Sequence, residues 1–212
     1  MKTMKRIWNS FKIAFAMYSK IPMPRADWEK ENMRYMMCFF PFVGIVIGAL
    51  MVGWSFLSGK LGAGNSLRGV IYVLIPVLVT GGIHLDGLLD TADALSSWQP
   101  KEKKLEILKD PHCGAFAVIR LCSYFAAYLA LCACVDFTPR VGLCWTLALV
   151  LERALSGLAV ASFPMAKNTG LAHTFATAAD RESVKKILIV LSVLLAAALI
   201  ALGGGALVAA AL

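Results

Sequence analysis

The residues best equipped for chemistry in this chain lie in one short run, His84-Leu-Asp86-Gly-Leu-Leu-Asp90-Thr-Ala-Asp93-Ala-Leu-Ser-Ser97. On a helix, Asp90 sits about 40° from Asp86, and Asp93 about 20° to its other side. Ser97 returns to about 20° on the same stripe. The three carboxylates therefore share one narrow face, and Gly87 leaves room beside them for a bulky group. Like charges so placed repel one another, and at a membrane boundary desolvation adds to the cost. A divalent cation relieves both, and an oxygen-only donor set selects Mg²⁺, Ca²⁺ or Mn²⁺ over zinc. Mg²⁺ usually takes one or two carboxylates and completes its shell with water and substrate phosphates. The competing reading is a solvated acidic cap that ends a short apolar span. The adjoining apolar run and the shared stripe favour the metal.

A second polar block follows, Lys109-Asp110-Pro111-His112-Cys113-Gly114. Asp110 reads either as a turn residue before a helix or as a further acid of the same site. Lys101, Lys103 and Lys104 alternate with Glu102 and Glu106 as on a solvated amphipathic helix with Leu105 and Leu108 inward, whereas Lys109 beside Asp110 suits a phosphate. Arg120 and the pair Glu152-Arg153 fall inside apolar runs, where ionised residues are rare and either line a cavity or pair with another helix. His84 projects about 160° from the acid stripe and reads as a packing residue. His112 and His173 receive no role.

The elements that must position these residues follow from composition. Of 212 residues, 59% are apolar and 16% charged, against about 45–50% and about 25% in soluble domains. Mean hydropathy is +0.71. Disorder is excluded, and so is a soluble globule of this size. The expected fold is all-α, a polytopic membrane-embedded helical bundle of about five to six transmembrane helices. An interfacial amphipathic helix over 7–19 precedes it, stopped by Pro22 and Pro24. Spans are expected over 38–57, 114–135, 141–163 and 187–212. The run 69–83 is shorter because Asp86 interrupts it, so it either continues as a helix through the acids or is tilted or partly re-entrant.

Charge sets the orientation. Sixteen of the 21 lysines and arginines lie in 1–35, 101–109 and 167–186, and three (Lys60, Arg68, Arg140) lie on the opposite side. The N-terminus and the 84–113 section are therefore expected on the cytoplasmic side of the cell (inner) membrane. The net charge of +8 serves this bias and contact with anionic lipid. No basic stripe interleaved with aromatics marks a nucleic-acid partner. The six cysteines form no CxxC pair and read as packing residues, with neither a disulfide framework nor a zinc site. No cleavable leader and no internal repeat is expected.

The sequence resembles the cobalamin synthase family, the adenosylcobinamide-GDP ribazoletransferases of vitamin B12 assembly. The resemblance rests on Gly81-Gly82-Ile83-His84-Leu85-Asp86-Gly87-Leu88-Leu89-Asp90-Thr91-Ala92-Asp93 and on Leu105-Glu106-Ile107-Leu108-Lys109-Asp110-Pro111-His112-Cys113-Gly114, in that order. Ile21-Pro22-Met23-Pro24 and Phe40-Pro41-Phe42-Val43-Gly44 add to it, and Arg153-Ala154-Leu155 and Gly170-Leu171 match more weakly. Lys20 stands where the family has arginine, and the family's C-terminal Gly- and acid-containing segment has no counterpart after Gly205.

The resemblance implies one membrane-embedded transferase domain over 1–212, lacking that segment. The implied reaction is Mg²⁺-dependent transfer of adenosylcobinamide phosphate from adenosylcobinamide-GDP to α-ribazole or its 5′-phosphate, with release of GMP. In that scheme Asp86, Asp90 and Asp93 hold Mg²⁺, and Asp110 completes the site or accepts the nucleophile's proton. Lys109 and Arg153 steady phosphate oxygens, with the Ser97 hydroxyl on the substrate side. The alternatives are a membrane phosphatidyltransferase acting on nucleotide-activated alcohols, or a divalent-cation carrier. The former pairs Asp-Gly repeats, whereas here only Asp86 precedes glycine. A carrier places its acids at mid-bilayer in repeated halves.

Overall fold

The structure is a computed structural model and describes residues 2–165, 174 and 177–203. The regular elements among the described residues are all helices. They group into two compact units, one formed by 1–56 with 136–212 and the other by 57–135.

In the first unit, α1 (Lys2–Tyr18) and the short α2 (Lys30–Met33) precede the long α3 (Met36–Lys60), whose last four residues belong to the second unit. On α1, Lys12 is 9% exposed and Asn9 and Ser10 are buried. A buried ammonium needs acceptors. Lys12 donates to the Arg25 carbonyl at 2.9 Å, and Ser10 Oγ donates to the Asn32 carbonyl at 2.6 Å. This polar face is thus fastened to the 25–32 turn, while Met4, Ile7 and Trp8 remain exposed.

Glycine spacing brings α3 onto α8 (Pro139–Ser162). Gly44 and Gly48 lie one turn apart, and a Cβ on Gly44 would stand 2.7 Å from the Leu149 carbonyl oxygen. Small residues four apart let two helix backbones approach closely in a bilayer. α8 in turn packs on α9 (Arg181–Ala201). Ile13, Met36, Met37, Ala154, Val184 and Leu188 form a continuous apolar core. The side chain of Asp180 caps α9 by accepting from the Ser183 amide at 3.3 Å and also pairs with Arg34.

The second unit holds α4 (Asn65–Thr80), α5 (Ile83–Ser96), α6 (Lys101–Ile107) and α7 (Ala115–Cys134), with α4 and α5 both against α7. Helices α3, α7, α8 and α9 are each long and apolar enough to cross a membrane. The pair α4–α5 passes the same test only jointly and is bent by 93°, so the described residues supply four spans, or five with the bent pair. The span expected from 187 begins at Arg181, because Asp180 supplies the cap. Residues 204–212, Lys167, Gly170, Leu171 and His173 lie outside the described residues.

Candidate active site

The site begins at a broken helix. α4 ends on Gly81 (φ 66°), and α5 starts from Gly82 (φ 80°). Two successive left-handed residues are readily available only to glycine, and together they turn the chain through 93°. Thr80 fixes the turn from inside, donating to the Pro76 carbonyl (2.7 Å) and accepting from the Gly82 amide (3.3 Å). The run 69–83 thus does not continue as one straight helix through the acids but breaks at the two glycines. The acids then occupy a helix of their own, so the stripe geometry holds.

Asp86 and Asp90 are exposed, one turn apart, and a Cβ on Gly87 beside them would meet nothing within 4 Å. Asp86 lies in the first turn of α5, where the helix dipole favours an anion. Asp93 is placed differently. It is half-buried, and its Oδ2 accepts the Gly114 amide while its Oδ1 accepts the Ala117 amide at 3.1 Å. Ser97 caps the end of α5, donating its hydroxyl to the Ala94 carbonyl at 2.7 Å and accepting the Gln99 amide at 3.4 Å. Next to it Trp98 is 93% exposed and takes φ 53°, where glycine is the usual occupant after a helix end.

Past α6, Lys109 is exposed and Asp110 forms a local turn. The Asp110 Oδ1 accepts the His112 amide at 2.9 Å and lies 2.6 Å from His112 Nδ1. The His112 amide, then its ring, holds the Asp110 carboxyl below the usual aspartate value. His112 is a residue that sequence reasoning passed over. The signal was the Asp-Pro-His spacing, since an aspartate readily accepts the amide two residues on.

Arg153 belongs to the first unit and is 5% exposed. Its guanidinium pairs with the adjacent Glu152 and donates to the Leu149 carbonyl at 3.1 Å. Arg120, on α7, lines an open concavity of about 430 Å³ with Leu95, Ser96, Trp98 and Phe116.

Among the described residues no group of three or more His, Cys, Asp or Glu side chains is gathered closely enough to hold a metal ion. Asp86 and Asp90 nevertheless suit Mg²⁺, which needs only one or two carboxylates when phosphate oxygens and water supply the rest. They are all-oxygen donors, adjacent on one face and open on the Gly87 side.

The fold and site define an all-helical polytopic protein whose acids are carried on a helix turned sharply from its apolar partner. A family model described as cobalamin-5-phosphate synthase matches residues 10–212. The chain belongs to that family. It is 47% identical over 176 residues to the adenosylcobinamide-GDP ribazoletransferase of Lachnoclostridium phytofermentans, covering 83% of this chain and 67% of the relative. It is 38% identical over 116 residues to the protein of that name from Clostridium perfringens, covering 55% and 46%. With the Fusobacterium nucleatum protein of that name it shares 30% over 175 residues, covering 79% and 63%. The matches thus span between about half and two thirds of the length of these relatives. No solved structure matches.

Proposed function

We propose that this chain transfers adenosylcobinamide phosphate from adenosylcobinamide-GDP to a ribose hydroxyl of α-ribazole, or of α-ribazole 5′-phosphate, and releases GMP. The observation that carries the reading is the family match over 10–212, which takes in both the acid stripe and the block ending at Gly114. In the transfer to either acceptor, the incoming ribose hydroxyl oxygen forms a bond to the phosphorus that carries cobinamide. The bond from that phosphorus to the bridging oxygen breaks, and GMP leaves with that oxygen. The hydroxyl proton passes to solvent or to a nearby base.

Bound Mg²⁺ would neutralise charge on the diphosphate. Asp86 and Asp90 are the acids best presented to hold it, with Asp93 behind them on the same stripe. Lys109 offers an exposed ammonium to a phosphate oxygen. Its neighbour Asp110 has its affinity for a proton lowered by His112, which favours an orienting or ligand role over that of general base. The Ser97 hydroxyl would have to leave the Ala94 carbonyl to meet substrate.

The same reading places the N-terminus and the 84–113 section in the cytoplasm, against the inner face of the cell membrane. The charge bias of the loops supports this. An impermeant thiol reagent applied to intact cells should leave a cysteine placed at position 103 unlabelled, and labelling there would overturn the orientation.

The activity is tested with purified protein in detergent, Mg²⁺, adenosylcobinamide-GDP and α-ribazole. GMP and adenosylcobalamin are the expected products. Release of CMP from CDP-diacylglycerol in place of GMP would favour the phosphatidyltransferase reading. The reading falls if no GMP is released by the well-inserted chain or by the same chain extended with the family's C-terminal segment.

A further inference from the structure

Asp93 shares the stripe of Asp86 and Asp90 in sequence, yet it is engaged elsewhere. The N-cap of α7 is Gly114, which has no side chain to cap the helix. The first amides of a helix lack intrahelical acceptors, and here a carboxylate from another helix supplies them. Asp93 takes the Gly114 amide on one oxygen and the Ala117 amide on the other. The negative charge also sits at the positive end of the α7 dipole. The neighbouring contact surface is made of small residues, with Ala92, Ala94 and Ala117 all buried, so α5 and α7 approach closely at this point. Gly114 is required by the same approach, because a Cβ there would lie 2.6 Å from Asp93 Oδ1.

The clamp closes a loop. Between Ser97 and Cys113 run the strained turn at Trp98, α6, Lys109 and Asp110. One end of that segment is fixed by the end of α5, and the other by the grip of Asp93 on α7.

We propose that Asp93 is a positioning residue and not a metal ligand. By clamping α7 to α5 it sets where Lys109 and Asp110 stand relative to Asp86 and Asp90. What Lys109 and Asp110 then do rests on the proposed transferase function; the clamp does not.

Hydrogen exchange of the detergent-solubilised chain, read on peptides covering 113–118, tests the clamp without any assay of activity. Asp93→Ala should raise exchange at Gly114 and Ala117 about fivefold, as expected for a lost helix cap. Asp93→Asn should fall between, because an amide oxygen accepts but its NH₂ does not. Asp86→Asn and Asp90→Asn should leave these amides at the wild-type rate. If Asp93→Ala fails to insert, Gly114→Ala, which drives a methyl into the carboxylate, carries the same test.

Kinetics then separate a positioning role from a ligand. Asp93→Asn should lower kcat at an unchanged half-saturating Mg²⁺ concentration, whereas Asp86→Asn and Asp90→Asn should raise that concentration. Combining Asp93→Asn with Lys109→Ala should cost less than the product of the two single losses, since both act through one segment. Unchanged exchange at Gly114 and Ala117 in Asp93→Ala, Asp93→Asn and Gly114→Ala overturns the clamp. A Mg²⁺ requirement raised in Asp93→Asn as much as in Asp86→Asn, or strictly multiplicative losses with Lys109→Ala, overturns the positioning role. Absence of transfer by the wild-type chain would sink the proposed function and leave the exchange result standing.

Discussion

Half of the most apolar stretch of α3 is buried, against 11% of that of α7, and the units to which they belong are held by different forces. The first unit is a volume-filled core, with Ile13, Met36, Ile47, Met51, Leu151, Leu188 and Leu199 essentially inaccessible. The second buries few large side chains. At the α5–α7 contact it relies on alanines and on the Asp93 carboxylate bound to two amides. A unit fixed by packing tolerates changes of charge at its surface and resents changes of volume. A unit fixed by hydrogen bonds behaves in the opposite way. The acids proposed for chemistry lie in the second kind.

The largest effect expected from this contrast is chemical. Asp86→Asn and Asp90→Asn should each reduce transfer by at least about 100-fold, with the melting transition shifted by no more than about 0.5 kcal/mol. GMP release and thermal denaturation in detergent measure the two sides. A large loss of stability in step with activity would break the contrast, since the exposed acids would then be holding their unit together.

Packing comes next. Leu188→Ala should cost about 2–5 kcal/mol, whereas Ile119→Ala, on the exposed face of α7, should stay within about 0.5 kcal/mol. Equal costs in a denaturation series would erase the difference between the units. A smaller loss, about 1–3 kcal/mol, is expected for Gly44→Ala, whose methyl would press on the Leu149 backbone. Gly53→Ala on the same helix meets nothing within 4 Å and should be neutral or gain about 0.5–1 kcal/mol.

The smallest effect is one the units share. Asp180 is held below the ordinary aspartate value chiefly by the hydrogen bond from Arg34, and Asp110 chiefly by the His112 amide. A carboxyl with a depressed folded value contributes stability above its unfolded value and loses it as pH falls through the folded one. Amide exchange around 110–112 and 180–183 should therefore quicken on acidification from about pH 7 to about pH 3. Rates at either site that stay flat, after correction for intrinsic exchange, would show that its contact does not depend on the charge.

The spans were legible because length and apolarity alone specify them. The run 38–57 became Met36–Lys60, 114–135 became Ala115–Cys134, and 141–163 became Pro139–Ser162. The acid stripe was legible because helical period is local information. The second bonding partner of each polar residue was not. Nothing near Asp93 in sequence announces that Gly114 and Ala117 lie against it, more than twenty residues on. Ser97 matched the stripe by angle, but it falls one residue past the last turn of α5, where hydroxyls close helices. Nor does anything local to Lys12 announce its acceptor, the Arg25 carbonyl, which comes from a turn that only tertiary structure brings close.

The bend at Gly81-Gly82 also makes bilayer thickness a variable of the site. Helix α4 has 16 residues, a rise of about 24 Å, and its apolar part from Gly69 to Thr80 rises only about 18 Å. The hydrocarbon layer is about 30 Å deep. A helix that turns aside so early leaves a shortfall, which lipid must absorb by thinning or the helix by shifting, at a fraction of a kcal/mol per Å. Lipid chain length therefore acts on the level at which α5 departs, and with it on how deep in the interface Asp86 and Asp90 meet water.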